Sequence, residues 1–160
     1  MAIKGLNHAV LYVRDAARSA RFYEDVLGFT TEVSFEGGAF LRAPDSTTDH
    51  DIAFFSIGEG AGPSMAGRAT VGLYHLAWEV GTLQELSDLA GKLSAAGALV
   101  GASDHTVSKS LYAKDPDGLE FEVCWVVPTD LLGDVQVSPR PLPLDIPREI
   151  ERFGALTPAR

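Results

Sequence analysis

Between Asp104 and Trp125 the chain reads DHTVSKSLYAKDPDGLEFEVCW, and this stretch concentrates groups suited to chemistry. His105 and Tyr112 are candidate acid/base groups. Asp115-Pro116-Asp117-Gly118 is a tight turn, and Glu122 is a carboxylate set between Phe121 and Val123 in an otherwise apolar strand. An ionised carboxylate facing a protein interior costs several kcal/mol unless it is paired or bound to a metal. If one face of the strand meets solvent, Glu122 is an ordinary surface residue. The only other histidines are His8, His50 and His75, so their placement is informative.

The elements that must position these groups come in a repeating order. LNHAVLYV, residues 6–13, reads as a β-branched and aromatic strand. Asp15 offers an N-cap to a helix whose apolar residues Ala16, Ala20, Tyr23 and Leu27 share a face, and Gly28 closes it. Strands follow over 29–35 and 39–43, joined at Gly37-Gly38, and DIAFFSI is a further strand after His50. A Gly-rich connector, residues 58–70, precedes the same order again. GLYHLAWEV is a strand, and Thr82 caps a helix with Leu83, Leu86, Leu89, Ala90 and Leu93 on one stripe. Strands are then expected over 98–102, 105–114 and 119–126. Leu6-Asn7-His8 aligns with Leu73-Tyr74-His75, and Val13 with Val80, at one constant offset. The chain therefore contains a βαβββ unit twice, with modules at about 5–58 and 72–127 in a domain spanning 1–127. Residues 128–160 form a Pro-rich C-terminal arm with a short helix near 148–153. It is expected either to pack on the domain or a second subunit, or to be partly disordered.

Composition bounds the function. With 160 residues, 46% apolar and 22% charged, the chain is the size and character of one globular domain. A net charge of −9 argues against nucleic acid and anionic membranes, both of which need a basic patch. The single cysteine, Cys124, excludes an internal disulfide, suits the cytoplasm, and has the apolar neighbours of a buried, inert thiol.

The repeat equates His8 with His75. If the modules pack about a pseudo-twofold axis, those imidazoles converge, and Glu122 completes a three-ligand set. Two histidines and one carboxylate on one face of an ion leave positions open for substrate and O2, and suit Fe(II), Mn(II) or Zn(II). A lone strand histidine is more often structural; two at repeat-equivalent positions with a strand Glu are harder to explain that way. The repeat offset carries Glu122 onto Phe55, so the first module offers no fourth carboxylate.

These segments (LNHAVLYVRD, FYEDVLGF, LYHLAWEV and DPDGLEFEV) resemble the vicinal oxygen chelate superfamily of glyoxalases, fosfomycin- and bleomycin-resistance proteins and type I extradiol dioxygenases. The resemblance covers residues 6–127. It implies an α+β fold, with two βαβββ modules in tandem forming an eight-stranded U-shaped sheet around a metal held by His8, His75 and Glu122. Within the superfamily the chain is most similar to single-domain extradiol dioxygenases, which open catechol rings beside the two hydroxyls. That resemblance implies catalytic roles for His50 (in DHDIAFF) and for His105 and Tyr112 (in HTVSKSLY). The chain departs from the family's DPDGN turn, having Leu119 where the Asn stands.

The expected activity is thus Fe(II)-dependent ring cleavage of an aromatic diol with O2 by a cytoplasmic homodimer. Phe40, Phe54, Phe55 and Trp78 are candidates for the ring pocket, although core packing suits most of them. The alternatives are a glyoxalase- or fosfomycin-resistance-like metal enzyme, or a drug-binding resistance protein without catalysis. The missing fourth carboxylate counts against the glyoxalase type, and the intact ligand set counts against the drug-binding one.

Overall fold

Period-2 and period-3.6 patterning alternate along this chain, and the backbone follows them. The computed structural model describes residues 2–67, 69–133, 138 and 140–160. Strand β1 is Ala9–Val13, helix α1 Ala16–Leu27, and strands β2, β3 and β4 are Thr30–Phe35, Gly38–Arg42 and Ile52–Ser56. The second module gives β5 (Leu76–Glu79), α2 (Leu83–Ala95), β6 (Leu99–Asp104), β7 (Ser108–Lys114) and β8 (Glu120–Val126). Helices α3 (Thr129–Leu132) and α4 (Ile146–Phe153) follow, of which α3 has no counterpart in the sequence reading.

The architecture is α+β, as the tandem βαβββ pattern requires. The strands form two mixed sheets of four, ordered β1-β4-β3-β2 and β5-β8-β7-β6. In each, the first strand of the module pairs parallel with the last, and the remaining pairs are antiparallel. Both helices start as their caps dictate. The Asp15 carboxylate accepts from the Ala17 and Arg18 N–H groups, and Thr82 and Glu85 close a reciprocal capping box. Gly28 takes the left-handed conformation (φ 78°) that ends α1 and that a side chain would disfavour.

The chain divides into two compact units, Met1–Ser64 with Asp115–Gly118, and Met65–Lys114 with Leu119–Arg160. In the first, α1 buries Ala16, Ala20, Tyr23 and Val26. Tyr23 packs edge-on against Phe29 and Phe54, at 5.4 and 5.0 Å between ring centroids. Burial, with Asp115 close by, drives the Tyr23 phenol far above its usual pKa, so it stays neutral. In the second unit, Leu83, Leu86 and Leu93 of α2 are fully buried, as are Leu111, Phe121, Val123 and Trp125 of the sheet.

The described part of the C-terminal arm packs on this second unit. Asp104 and Leu142 exchange backbone hydrogen bonds of 2.8 and 2.9 Å. Trp125 Nε1 donates to the Thr157 carbonyl at 3.2 Å, and Ala159 N–H donates to Gly81 at 2.7 Å. The arm's Pro139, and Arg68 of the Gly-rich connector, lie outside the described residues.

The DPDG turn belongs to the first unit. Asp117 Oδ1 lies 2.8 Å from Arg14 Nη1 and 2.9 Å from Arg18 Nη2, while the Arg14 N–H donates to Oδ2 at 2.9 Å. Burial alone would raise this carboxyl. The hydrogen bonds from Arg14 and the charges of Arg18 and Arg14 outweigh it and hold the group below the usual carboxylate range. A lowered carboxyl pKa adds stability above the ordinary value, and that contribution is lost as pH falls through the folded-state value. Asp117→Asn is therefore expected to cost about 2 kcal/mol at neutral pH, and the cost should shrink in acid, as read by urea melts at several pH values.

Candidate active site

Strand β8 exposes its two faces to different surroundings. Phe121, Val123 and Trp125 are buried with α2 and with Phe153 of α4, which lies 5.5 Å from Trp125 between ring centroids. Glu122 and Cys124, at the alternate positions, are only partly buried and face the other way. Register brings neighbours to them: Glu122 pairs with Ala77 on β5 and Tyr112 on β7, and Cys124 with Glu79 and Ser110.

His75 stands immediately before β5, and its Nε2 lies 3.0 Å from Glu122 Oε2, with side-chain exposures of 23% and 13%. His75 Nδ1 is buried and has no hydrogen-bond partner among the described residues. Tyr112 Oη and His105 Nε2 are 2.7 Å apart. Burial, and then the neighbouring Glu122, Tyr74 and Cys124, push the Tyr112 phenol up to about 12. It is therefore a neutral hydroxyl at physiological pH, a donor rather than a base.

In the first unit, His8 stands immediately before β1 and is exposed. Its ring lies 4.5 Å from that of His50, whose Nδ1 is 2.9 Å from Asp49 Oδ2. The hydrogen bond from His50 holds the Asp49 carboxyl below its ordinary range. Phe40 meets His50 edge-on at 5.0 Å, and Phe35, Phe40 and Phe55 contact one another at 6.0 to 6.1 Å. Phe40 and Phe55 thus share the face that carries His50. Phe54 is buried against Tyr23 on the helix side, and Trp78 pairs with buried Val123 on the helix side of the second sheet, so neither joins that face.

The sequence-derived residues therefore meet as pairs: His75 with Glu122, His105 with Tyr112, and His8 with His50. Among the described residues, no three or more His, Cys, Asp or Glu side chains gather as a ligand cluster. Two details differ from the sequence reading. His8 and His75 precede their strands instead of lying within them. The counterpart of Glu122 is also Ala53 rather than Phe55, because Val10 pairs with Ala53 as Ala77 pairs with Glu122. The constant offset lapses from the helices onward: α2 and the connection after it are each one residue longer than α1 and its connection, so β6 already stands two residues beyond the offset from β2. Ala53 brings no carboxylate either. Cys124 was expected to be buried in apolar surroundings, yet it stands two residues from Glu122 on the same face. Strand alternation counted from Glu122 would have found it.

Residues 5–123 match the model of the Glyoxalase/Bleomycin resistance protein/Dioxygenase superfamily, and the chain belongs to that family. It is 31% identical over 121 residues to a catechol-2,3-dioxygenase of Bacillus subtilis (strain 168), a match covering 74% of this chain and 40% of that protein. It is 34% identical over 119 residues to biphenyl-2,3-diol 1,2-dioxygenase 3 of Rhodococcus globerulus, covering 74% of this chain and 61% of the relative. The match thus covers less than two thirds of either relative's length. A glyoxylase/bleomycin resistance protein/dioxygenase domain from Frankia sp. EAN1pec shares the fold. Its TM-score is 0.67 at 23% identity, over 80% of this chain and 96% of that one.

Burial, Glu122 and Glu79 push the Cys124 thiol up to about 11. A raised thiol pKa depletes thiolate at neutral pH. Iodoacetamide labelling of Cys124 at pH 8 is therefore expected to run roughly 100-fold slower than for a free thiol and to climb steeply in alkali; mass spectrometry of timed samples reads both.

Proposed function

We propose that this protein is a metal-dependent extradiol dioxygenase that opens a catechol-type ring with O2. The observation that carries the reading is the His105–Tyr112 pair, 2.7 Å apart, with Tyr112 registered beside Glu122. A neutral phenol joined to an imidazole next to a candidate metal carboxylate is what proton handling on a diol requires. The likeness to the Bacillus and Rhodococcus dioxygenases supports the same class.

The residues fit a metal by their donor chemistry. In the second unit an imidazole and a carboxylate stand in contact and partly buried, and the imidazole's second nitrogen is buried without a partner among the described residues. His75 and Glu122, with His8 from the first unit, would hold the ion. Imidazole nitrogen and carboxylate oxygen suit Fe(II), and also Mn(II) or Zn(II). When bound, Fe(II) supplies Lewis acidity toward the diol oxygens and an open position for O2.

The chain's own groups then handle binding and protons. Tyr112, protonated up to about pH 12, donates a hydrogen bond to a diol oxygen and holds the ring in one orientation. His105, whose Nε2 lies 2.7 Å from Tyr112 Oη, shuttles a proton through that hydroxyl from the diol and back to an oxygen as the ring opens. His50, oriented through Nδ1 by Asp49, presents its other ring edge as a donor toward O2. Phe40 and Phe55, on the face that carries His50, offer apolar surface for the substrate's ring.

His8→Ala, His75→Ala and Glu122→Ala are each expected to abolish iron retention after desalting, as measured by metal analysis. The intact protein, loaded with Fe(II) anaerobically, should convert a catechol to a yellow ring-opened product with consumption of O2. Iron-dependent ring cleavage surviving in His75→Ala would refute the ligand set. Tyr112→Phe is expected to retain iron and lose about 100-fold in kcat. Because its phenol does not ionise in the working range, the acid and alkaline limbs of the kcat profile should stay where they are; disappearance of a limb would instead identify Tyr112 as a titrating base.

A further inference from the structure

Lys109 is fully buried on β7, with 0% of its side chain exposed. Its Nζ lies 2.6 Å from Asp104 Oδ1 and 2.9 Å from Oε2 of Glu149, whose side chain is 8% exposed on α4. A lysine this deep is held only where its charge is matched. Two carboxylates match it here, one at the end of β6 and one from the C-terminal arm. Arg152 Nη1 stands 3.9 Å from the same Glu149 oxygen and balances the second of them.

Asp104 opens the short loop that carries His105. Its Oδ1 also accepts the Thr106 N–H at 2.7 Å. Thr106 has a φ of 72°, and among the described residues it is the only non-glycine with positive φ. The Val107 N–H donates to the His105 carbonyl at 2.9 Å, closing the rarer, left-handed form of γ-turn, and the His105 N–H donates to Ser108 at 2.9 Å. A β-branched residue adopts this conformation only where its surroundings enforce it. The enforcing contacts come from Asp104 and from the arm. Leu142 bonds the Asp104 backbone on both sides, and the Ser138 N–H donates to Thr106 Oγ1 at 3.3 Å.

We propose that Lys109, Asp104 and Glu149 are positioning residues that make the C-terminal arm a brace for the His105 loop. Through them α4 sets the strained turn at Thr106, and the turn aims His105 Nε2 at Tyr112. Lys109 belongs to the helix-facing side of the sheet and Tyr112 to the opposite side, so the effect runs through the loop backbone and not through contact with substrate. Glu149 and the arm lie beyond residue 123, where the family match ends, and the brace ties that added segment to the acid/base pair. The inference rests on the roles assigned above to His105 and Tyr112.

The test uses the full chain, loaded with diamagnetic Zn(II) for NMR and with Fe(II) for turnover. In Lys109→Met and Glu149→Gln the His105 ring signals are expected to move toward their positions in Tyr112→Phe, which lacks the hydrogen bond. Iron content should stay at the wild-type level, KM for catechol should hold within about twofold, and kcat should fall roughly tenfold or more. Glu149→Asp, which keeps the charge, should recover much of both readouts. Wild-type His105 signals and kcat in a folded but less heat-resistant Glu149→Gln protein would overturn the proposal, leaving the triad a stabilising contact alone. If Lys109→Met does not fold, the two Glu149 variants decide the matter. Should the His105 signals move while even the wild type opens no catechol, the brace stands and the proposed reaction falls. Catechol cleavage by the wild type with unmoved signals in the variants gives the reverse.

Discussion

The register of β8 against its two neighbours is the constraint on which the site depends. Glu122 pairs with Ala77 on one side and Tyr112 on the other, and side chains on a strand alternate strictly. A slip of one residue would turn Glu122 into the helix-packed interior and bring Val123 out. That interior is what forbids the slip, because Phe121, Val123 and Trp125 are each nearly inaccessible to solvent and have no other place to bury. The carboxylate is placed less by its own contacts than by the apolar residues beside it. Tyr112 and Cys124 inherit their positions from the same arrangement.

Much of this was legible before any coordinates. The caps were plain in the residue types, since Asp15 and Thr82 each precede an apolar stripe at helical spacing and each does cap its helix. The duplication located His75 from His8. Glu122 stood out as a carboxylate between Phe121 and Val123 in an apolar strand. Less legible were features set by tertiary pairing. The equivalence of Glu122 with Phe55 failed because the second helix and the connection after it are each a residue longer than their counterparts, and only the parallel pairing of Val10 with Ala53 corrects the count. Phe40, Phe54, Phe55 and Trp78 look alike as aromatic strand residues. They are sorted by parity once the register is known, with Phe40 and Phe55 beside His50 and the other two toward the helices.

The burial of Lys109 had no signal in the sequence. A lysine in a strand with serines on either side reads as solvent-facing, and its partner Glu149 lies far along the chain in a segment whose composition suggests an arm. Similarly, the DPDG turn suggested only a reversal of chain direction. Its second aspartate proves to be an anchor that collects Arg14 and Arg18, and that turn is counted with the first unit although its neighbours in sequence belong to the second.

The parallel pairings also bear on how the chain acquires its structure. In each module the antiparallel strands are near neighbours in sequence, but the first strand joins the last across the whole module, Ala9 with Ile52 and Leu76 with Phe121. Closing so long a span is entropically slower than forming a hairpin. The leading strand is therefore the late arrival in its own sheet, and His8 and His75 immediately precede those strands. Each of these imidazoles is then delivered only with the strand that completes its own sheet.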